Sequence, residues 1–387
     1  MRYARSSALQ WLLAGALMIG LPLGGASIYG QELQTYLEFP PLTRYVSHAP
    51  FSGWVFALIA AIDLSAGILI VSLLWRTRRQ ACHRRTQARY FPPWGWLGVA
   101  MMLGGWCLAW TRFEWFATLQ AHTFCLPWAG YIIWVNALCS WRSGRSLIGD
   151  APGRFGLLIL VSALFWWFFE YLNRFVQNWY YTGIEDFGPA SYTAFASLAF
   201  ATVLPAVLST YRLLLTFPRF GETPDDIHKL SVPRPRLLSA ATLAVAVAGL
   251  ALLGVYPDAL FAMLWVSPLL IIVSLQILCG RKTIFTPLNR GDWRPLIAAG
   301  VAALVCGFFW EMWNIGSLAR WHYAIPYVDR FHLFAMPALG YGGYLPFGLE
   351  CLVVGELVMG RRHMMPDEIS HDNDRPTSSP SLRAYIK

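Results

Sequence analysis

Two segments of the chain place a carboxylate, an amide and two aromatic side chains in the same order. The first is FWWFFEYLNRFVQNWYY, which contains Glu170, Asn173, Trp179 and Tyr181. A glutamate and an asparagine three residues apart lie on one face of a helix, about one turn from each other. Because an acid inside an apolar segment is costly, it usually faces the bundle interior and indicates a functional site. The pattern predicts acid chemistry in a polar cavity at the end of a membrane helix.

The second segment is GFFWEMWNIGSLARWHY, which contains Glu311, Asn314, Trp321 and Tyr323. Its glutamate and asparagine follow those of the first segment by 141 residues, and its tryptophan and tyrosine follow by 142. The glutamates and asparagines of both segments are candidate catalytic residues. The tryptophans and tyrosines are candidate substrate-binding residues.

The same residue types also have a structural interpretation. Polar side chains between membrane helices hold those helices together by hydrogen bonds, and Trp and Tyr concentrate at membrane interfaces. The glutamate and asparagine would then bond the loop that follows each helix, and the aromatic residues would anchor it. Both interpretations stay open, because a duplication copies structural supports as well as reactive groups.

The composition of the chain excludes a water-soluble globule. Of its 387 residues, 56% are apolar and 13% are charged, against about 45–50% and about 25% in soluble domains. The mean hydropathy is +0.45. Because a bilayer span needs roughly 20 apolar residues, the apolar runs predict an all-α polytopic membrane protein of about ten spans. The runs cover residues 8–29, 51–75, 93–110, 115–140, 155–172, 191–215, 237–256, 259–279, 295–313 and 333–360.

The nearly equal distances between corresponding residues of the two motifs indicate a tandem duplication. Cys139 and Cys279 each precede an arginine-bearing loop and lie 140 residues apart, which extends the match. Two copies of a four-helix unit would lie parallel, related by an axis along the membrane normal. The predicted organisation is an N-terminal two-span region with a basic cytoplasmic loop (1–92), a first four-helix repeat (93–220), a cytoplasmic linker (221–236), a second four-helix repeat (237–360) and a disordered cytoplasmic tail (361–387).

The basic residues indicate the orientation in the membrane. The net charge is +9, and nearly all Lys and Arg lie on the cytoplasmic side if both termini are cytoplasmic, as the positive-inside rule requires. Topology therefore explains the charge without a nucleic-acid partner. We predict membrane lipids as partners and the bacterial inner (plasma) membrane as the location. The first span follows Arg2 and Arg5 and also has the features of a signal peptide.

Further polar candidates lie close to the second motif. His322 and His332 are candidate catalytic bases, and Glu350 is a candidate substrate-binding residue in the interrupted run MPALGYGGYLPFGLE. A broken helix at membrane depth normally lines a cavity or packs closely on a neighbour. Histidines and acids on this side could form a metal site, but no H-x-x-x-H or H-E-x-x-H spacing supports one. We predict no metal and specify no cofactor.

An acid in an apolar span, then W-x-Y, then a proline-led span with a second acid resembles the integral-membrane lycopene (carotenoid) cyclases. The residues that carry the resemblance are Glu311, Trp321, Tyr323, Pro337, Pro346 and Glu350. It implies a small repeated helical unit and chemistry on an isoprenoid. The chain as a whole resembles an uncharacterised family of bacterial multipass membrane proteins, and that likeness implies no particular activity.

Three functional hypotheses follow from these patterns. The first is a membrane-embedded enzyme that acts on a lipid or polyprenyl substrate by acid catalysis, with aromatic faces stabilising a cation. The second is a proton-coupled transporter or flippase. The third is a structural or assembly subunit whose outer loops bind a protein partner. Convergence of both glutamates on one lipid-accessible pocket would favour the first hypothesis, and separate well-packed motifs would favour the third.

Overall fold

The computed structural model describes residues 2–41, 43–80, 90–221 and 229–364, with the backbone alone at 2–9, 77–80, 219 and 221. Most of the predicted tail and part of the basic loop therefore lie outside the described residues. The described chain is mostly helical. Its helices are α1 (Arg2–Ile28), α2 (Leu33–Leu37), α3 (Gly53–Gln80), α4 (Pro93–Trp110), α5 (Cys125–Ser143), α6 (Leu147–Asp150), α7 (Pro152–Val176), α8 (Pro189–Phe200), α9 (Val203–Leu214), α10 (Pro218–Gly221), α11 (Pro235–Ala251), α12 (Pro257–Leu260), α13 (Met263–Leu278), α14 (Arg294–Gly316), α15 (Tyr344–Met359) and α16 (Arg361–Met364).

Six helical segments of the described chain are long and apolar enough to cross a membrane, and a seventh qualifies if one bent pair counts as a single span. This confirms a helical membrane protein. Helices α11 and α13 are apolar but shorter than these six. The six segments are Gln10–Ile28, Gly53–Arg76, Pro152–Val176, Pro189–Leu214, Arg294–Gly316 and Ala338–Met359.

Three of the predicted spans are interrupted. The 3₁₀ helix Glu114–His122 meets α5 at 70°, α8 and α9 are separated at Ala201 and Thr202, and the 3₁₀ helix Ala338–Gly343 precedes α15. Each interruption includes the residue four positions before a proline. Because proline has no backbone N–H, it cannot donate to the carbonyl at that position. The prolines are Pro127, Pro205 and Pro346.

Small residues allow close contact between neighbouring helices. A β-carbon on Gly98 of α4 would lie 2.6 Å from the backbone nitrogen of Trp134 in α5. One on Gly130 would lie 2.4 Å from the backbone nitrogen of Met102. Glycines let helix backbones approach each other in this way in membranes. Helices α11 and α13 form a second such pair, while α7, α9, α14 and α15 pack together at the centre.

Two small antiparallel sheets lie beyond the ends of the central helices. Strand β1 (Trp179–Thr182) follows α7 and pairs with β2 (Arg320–Tyr323), which follows α14. The carboxyl ends of α7 and α14 therefore meet on the same side of the bundle. Strands β3 (His332–Leu333) and β4 (Met336–Pro337) form a hairpin before the 3₁₀ helix that leads into α15.

Candidate functional site

Glu170 lies near the end of α7 and is fully buried. Its Oε1 accepts hydrogen bonds from the Trp166 indole at 3.0 Å, the Trp179 indole at 3.0 Å and the Tyr181 hydroxyl at 2.6 Å. Trp179 and Tyr181 belong to β1, so the strand folds back over the helix that carries the glutamate. We call Glu170, Trp166, Trp179 and Tyr181 the first cage.

Glu311 occupies the matching position near the end of α14 and is also fully buried. Its Oε1 accepts from the Tyr323 hydroxyl at 2.7 Å and from the Tyr344 hydroxyl at 3.1 Å. The Trp321 indole donates to the Tyr323 oxygen at 2.8 Å, so it supports the glutamate indirectly. We call Glu311, Trp321, Tyr323 and Tyr344 the second cage.

A glycine explains why the second cage contains a different donor. Position 307 lies 141 residues after Trp166 and holds a glycine. The Tyr344 ring fills the space beside it, since a β-carbon on Gly307 would lie 2.4 Å from that ring. The Tyr344 hydroxyl thus donates to Glu311 where the Trp166 indole donates to Glu170. Tyr344 and Trp166 were missed at the level of sequence, although the exchange of tryptophan for glycine was a visible signal.

The two asparagines hold the strands against the helices. Asn173 Nδ2 donates to the Trp179 carbonyl at 2.8 Å, and its Oδ1 accepts from the Asn178 backbone nitrogen at 2.8 Å. Asn314 bonds both backbone groups of Trp321, at 2.8 Å and 2.9 Å. Each asparagine amide therefore pairs with a backbone N–H and a backbone C=O of the segment that follows its helix. These contacts are those of a structural support.

Both glutamates have one oxygen in the cage and one without a partner. Oε2 of Glu170 and Oε2 of Glu311 are buried, and neither has a hydrogen bond within the described residues. No described side chain bonds both glutamates, so the two cages are separate hydrogen-bonding groups. An aromatic cluster lies between them, in which the Phe347 ring contacts the rings of Trp166 and Trp310.

His322 lies between Trp321 and Tyr323 in β2, and His332 lies in β3. Side chains alternate along a strand, so His322 points away from its neighbours Trp321 and Tyr323. Its Nε2 lies 3.0 Å from Thr182 Oγ1, and its ring stacks on Tyr180. Burial lowers the pKa of His322, and the nearby Arg320 guanidinium lowers the pKa further. His322 is therefore neutral at pH 7.

A surface cleft of about 260 Å³ lies beside β2. It brings both candidate histidines, His322 and His332, next to residues of the second cage. His332 is exposed, and its Nε2 lies 2.8 Å from Asp329 Oδ1. The cleft is lined by Tyr180, Asn314, Ile315, Arg320, Trp321, His322, Tyr323, His332, Phe334 and Ala335.

Glu350 lies apart from both cages, on α15. Its Oε1 accepts from the backbone nitrogen of Leu269, which follows Pro268 inside α13. Its Oε2 has no partner in the described chain. The carboxyl group is therefore buried beside the proline-containing helix α13, and Glu350 does not line the cleft. Within the described residues, no group of three His, Cys, Asp or Glu side chains is placed to hold a metal ion.

A further polar cluster joins the N-terminal region to both halves of the chain. His48 Nδ1 lies 2.6 Å from Asp258 Oδ1, and His48 Nε2 lies 3.2 Å from the Gln177 carbonyl. The backbone nitrogen of Ala49 donates to the other oxygen of Asp258 at 2.8 Å. Asp258 was missed at the level of sequence because it lies 210 residues from its partner.

Comparisons with protein families, curated proteins and solved structures give no match to this chain.

Proposed function

We propose that this chain is an integral membrane enzyme that acts on a lipid or isoprenoid substrate, with Glu311 as its proton donor. The observation that carries the proposal is the arrangement of the carboxyl group. Two tyrosine hydroxyls hold Oε1, while the buried Oε2 has no hydrogen-bond partner among the described residues. A proton on Oε2 therefore has no acceptor among the described residues, and its transfer requires that the substrate reach Oε2, which is buried in this structure.

The second cage is favoured over the first because it adjoins the cleft. Tyr323, whose hydroxyl bonds Glu311, lines the cleft together with Trp321. Aromatic faces at this place would stabilise a cation that forms on the substrate. His322 is neutral at pH 7 because its pKa is lowered, so it can accept a proton at the cleft. Glu170 also has an unpartnered Oε2, but none of Trp166, Trp179 and Tyr181 lines the cleft.

We further propose that the enzyme is a duplicated bundle of ten spans with both termini in the cytoplasm. Helices lie at all ten apolar runs. The pair Leu204 and Pro205 in α9 lies 141 residues before Leu345 and Pro346 in α15, which is the same distance that separates the glutamates. The distribution of Arg and Lys supports this orientation in the bacterial inner membrane.

A second candidate is an assembly subunit whose outer loops bind a protein partner. The observation that favours it is the separation of the two cages, each tightly packed and each supported by an asparagine that bonds backbone groups. On this view the glutamates only hold β1 and β2 in place. The two candidates differ in whether loss of the Glu311 carboxyl changes any lipid.

The test compares lipid extracts from a strain that lacks the gene and from strains that carry variants. We expect the deletion to alter a lipid or isoprenoid species, the wild-type gene to restore it, and Glu311→Gln to fail. Glutamine keeps the acceptor oxygen for Tyr323 and Tyr344 but cannot donate the proton. Glu185→Gln, at an exposed glutamate, is the control and should restore the species. An unchanged lipid profile, or restoration by Glu311→Gln at wild-type protein levels, would exclude the enzyme and leave the assembly subunit.

A further inference from the structure

The cleft beside β2 is lined by two chemically different sets of side chains. Arg320, His322 and His332 supply nitrogen atoms and form what we call the polar wall, and Ile315 and Phe334 supply apolar surface and form what we call the apolar wall. A single small polar solute would use only the polar wall. The cleft therefore matches a ligand with a polar end and an apolar end.

The permanent positive charge of the cleft comes from Arg320. Its Nη1 donates to the Ile315 carbonyl at 3.1 Å, and a guanidinium has five N–H donors in total. Most of its donors are therefore not used by this bond. His322 adds hydrogen-bonding capacity without charge at pH 7, because burial and Arg320 lower its pKa. The Asp329 carboxylate is engaged by His332. An arginine fork of this kind suits a phosphate group.

The apolar wall continues along a membrane-spanning helix. Phe308 and Ile315 are seven residues apart on α14, which places them on the same face, and both are exposed. The ring of Phe334, in the turn between β3 and β4, packs on Phe308 with 5.5 Å between ring centres. Phe334, Phe308 and Ile315 thus place separate apolar side chains beside the cleft and on the exposed surface of α14, the helix that carries Glu311.

Phe334 is held in place by its backbone. It has a φ of 58°, a conformation that bulky residues rarely adopt. Tyr327 and Phe331 in the same loop also have positive φ values. Such conformations persist only where the surroundings impose them, and they cluster at ligand sites.

We propose that the cleft binds the phosphate headgroup of a lipid whose hydrocarbon chain lies along Phe334 and the exposed face of α14. Arg320 binds the phosphate oxygens, and His322 and His332 complete the polar wall. The proposal rests on the proposed function in that it names the substrate class of the Glu311 site. It requires only binding, so it can be tested without turnover.

The test measures binding to the purified full chain in detergent, by quenching of tryptophan fluorescence or by native mass spectrometry. The probes are farnesyl phosphate, farnesol and inorganic phosphate. We expect farnesyl phosphate to bind at least ten-fold more tightly than either of the others. Equal binding of inorganic phosphate would mean a site for a free anion, and equal binding of farnesol would mean an apolar groove. Either result would overturn the proposal.

Variants separate the two walls. Arg320→Gln should weaken farnesyl phosphate binding at least ten-fold, and Phe334→Ala should reduce its advantage over inorganic phosphate. Arg330→Gln is the matched control, because Arg330 stacks over Phe51 and does not line the cleft. Wild-type binding by a folded Arg320→Gln protein would refute the assignment.

The Glu311→Gln variant distinguishes failure of this inference from failure of the proposed function. It removes the proposed proton donor and leaves both walls of the cleft intact, so it should bind farnesyl phosphate with wild-type affinity. Binding without any lipid change in the deletion strain would leave the headgroup site standing and remove the enzyme. A lipid change in the deletion strain without phosphate-dependent binding would support the enzyme and remove the headgroup site.

Discussion

The ring of Tyr344 lies directly against the α-carbon of Gly307, and this contact sets the geometry of the second cage. A β-carbon on residue 307 would lie 2.4 Å from the ring, well inside van der Waals contact. The glycine thus admits the tyrosine whose hydroxyl donates to Glu311 at 3.1 Å. A packing relationship between α14 and α15 therefore determines which group holds the carboxyl oxygen.

Gly307→Ala should displace Tyr344 and lengthen its hydrogen bond to Glu311. Inserting a methyl group into a well-packed site costs about 1–3 kcal/mol, so we expect the free energy of unfolding to fall by about that amount. Thermal unfolding in detergent, followed by tryptophan fluorescence, measures it. Gly104→Ala in α4 is the control, because nothing lies within 4 Å of its added β-carbon. Equal stability of the two variants would contradict the close contact.

Asn314→Ala should loosen β2 from the end of α14. It leaves the backbone N–H and C=O of Trp321 without their side-chain partner, and each unsatisfied buried group costs about 1–3 kcal/mol. We expect lower thermal stability and faster proteolysis near β2. Thr193→Ala, which removes a methyl group and an exposed hydroxyl bonded only within α8, should have no measurable effect. The support role of Asn314 is wrong if both proteins unfold at the same temperature.

Spacing and composition predicted much of this arrangement. The distance of three residues between Glu170 and Asn173 correctly placed both side chains at the end of one helix, and W-x-Y correctly placed the aromatic donors after it. The breaks before Pro127 and Pro205 were missed, while the one before Pro346 was anticipated from the run MPALGYGGYLPFGLE. Each break includes the residue four positions before a proline, whose missing N–H leaves that carbonyl without its helical donor. Proline position alone does not predict such breaks, since α1 continues through Pro22 and α13 through Pro268.

Long-range partners could not be predicted in the same way. Tyr344 reaches Glu311 because two helices pack at Gly307, and Asp258 meets His48 because a loop crosses the bundle end. Neither relationship has a local sequence pattern. One amino-acid sequence shows which residue types could donate a hydrogen bond to a buried carboxylate. It does not show which distant residue does so, since that depends on tertiary packing.

Asp258→Asn should release the segment that carries His48. The pair is held at 2.6 Å with His48 largely buried, and Asp258 also accepts from the Ala49 backbone. Replacing the carboxylate weakens both bonds, so we expect faster cleavage of the segment 43–52 under limited proteolysis. Asp329→Asn is the control, because the side chains of both His332 and Asp329 are exposed. Exposed ion pairs contribute little to folding stability. Unchanged cleavage in Asp258→Asn would show that other contacts anchor the segment.

His322 should titrate below the ordinary histidine value of about 6.5. Burial disfavours the imidazolium, and Arg320 adds repulsion, so both causes lower its pKa. Because the unfolded chain binds this proton more readily, His322 reduces folding stability as the pH falls below its unfolded pKa. Arg320→Gln removes only the repulsion, so it should raise the pKa of His322 without restoring the ordinary value.

Histidine-selective NMR labelling measures this titration, and the signal that disappears in His322→Gln identifies the residue among the eight histidines of the chain. Farnesyl phosphate should shift the His322 pKa upward, because a phosphate in the cleft stabilises the imidazolium. The shift should be absent in Arg320→Gln, which does not hold the headgroup. If neither Arg320→Gln nor farnesyl phosphate changes the pKa of His322, the phosphate binds elsewhere.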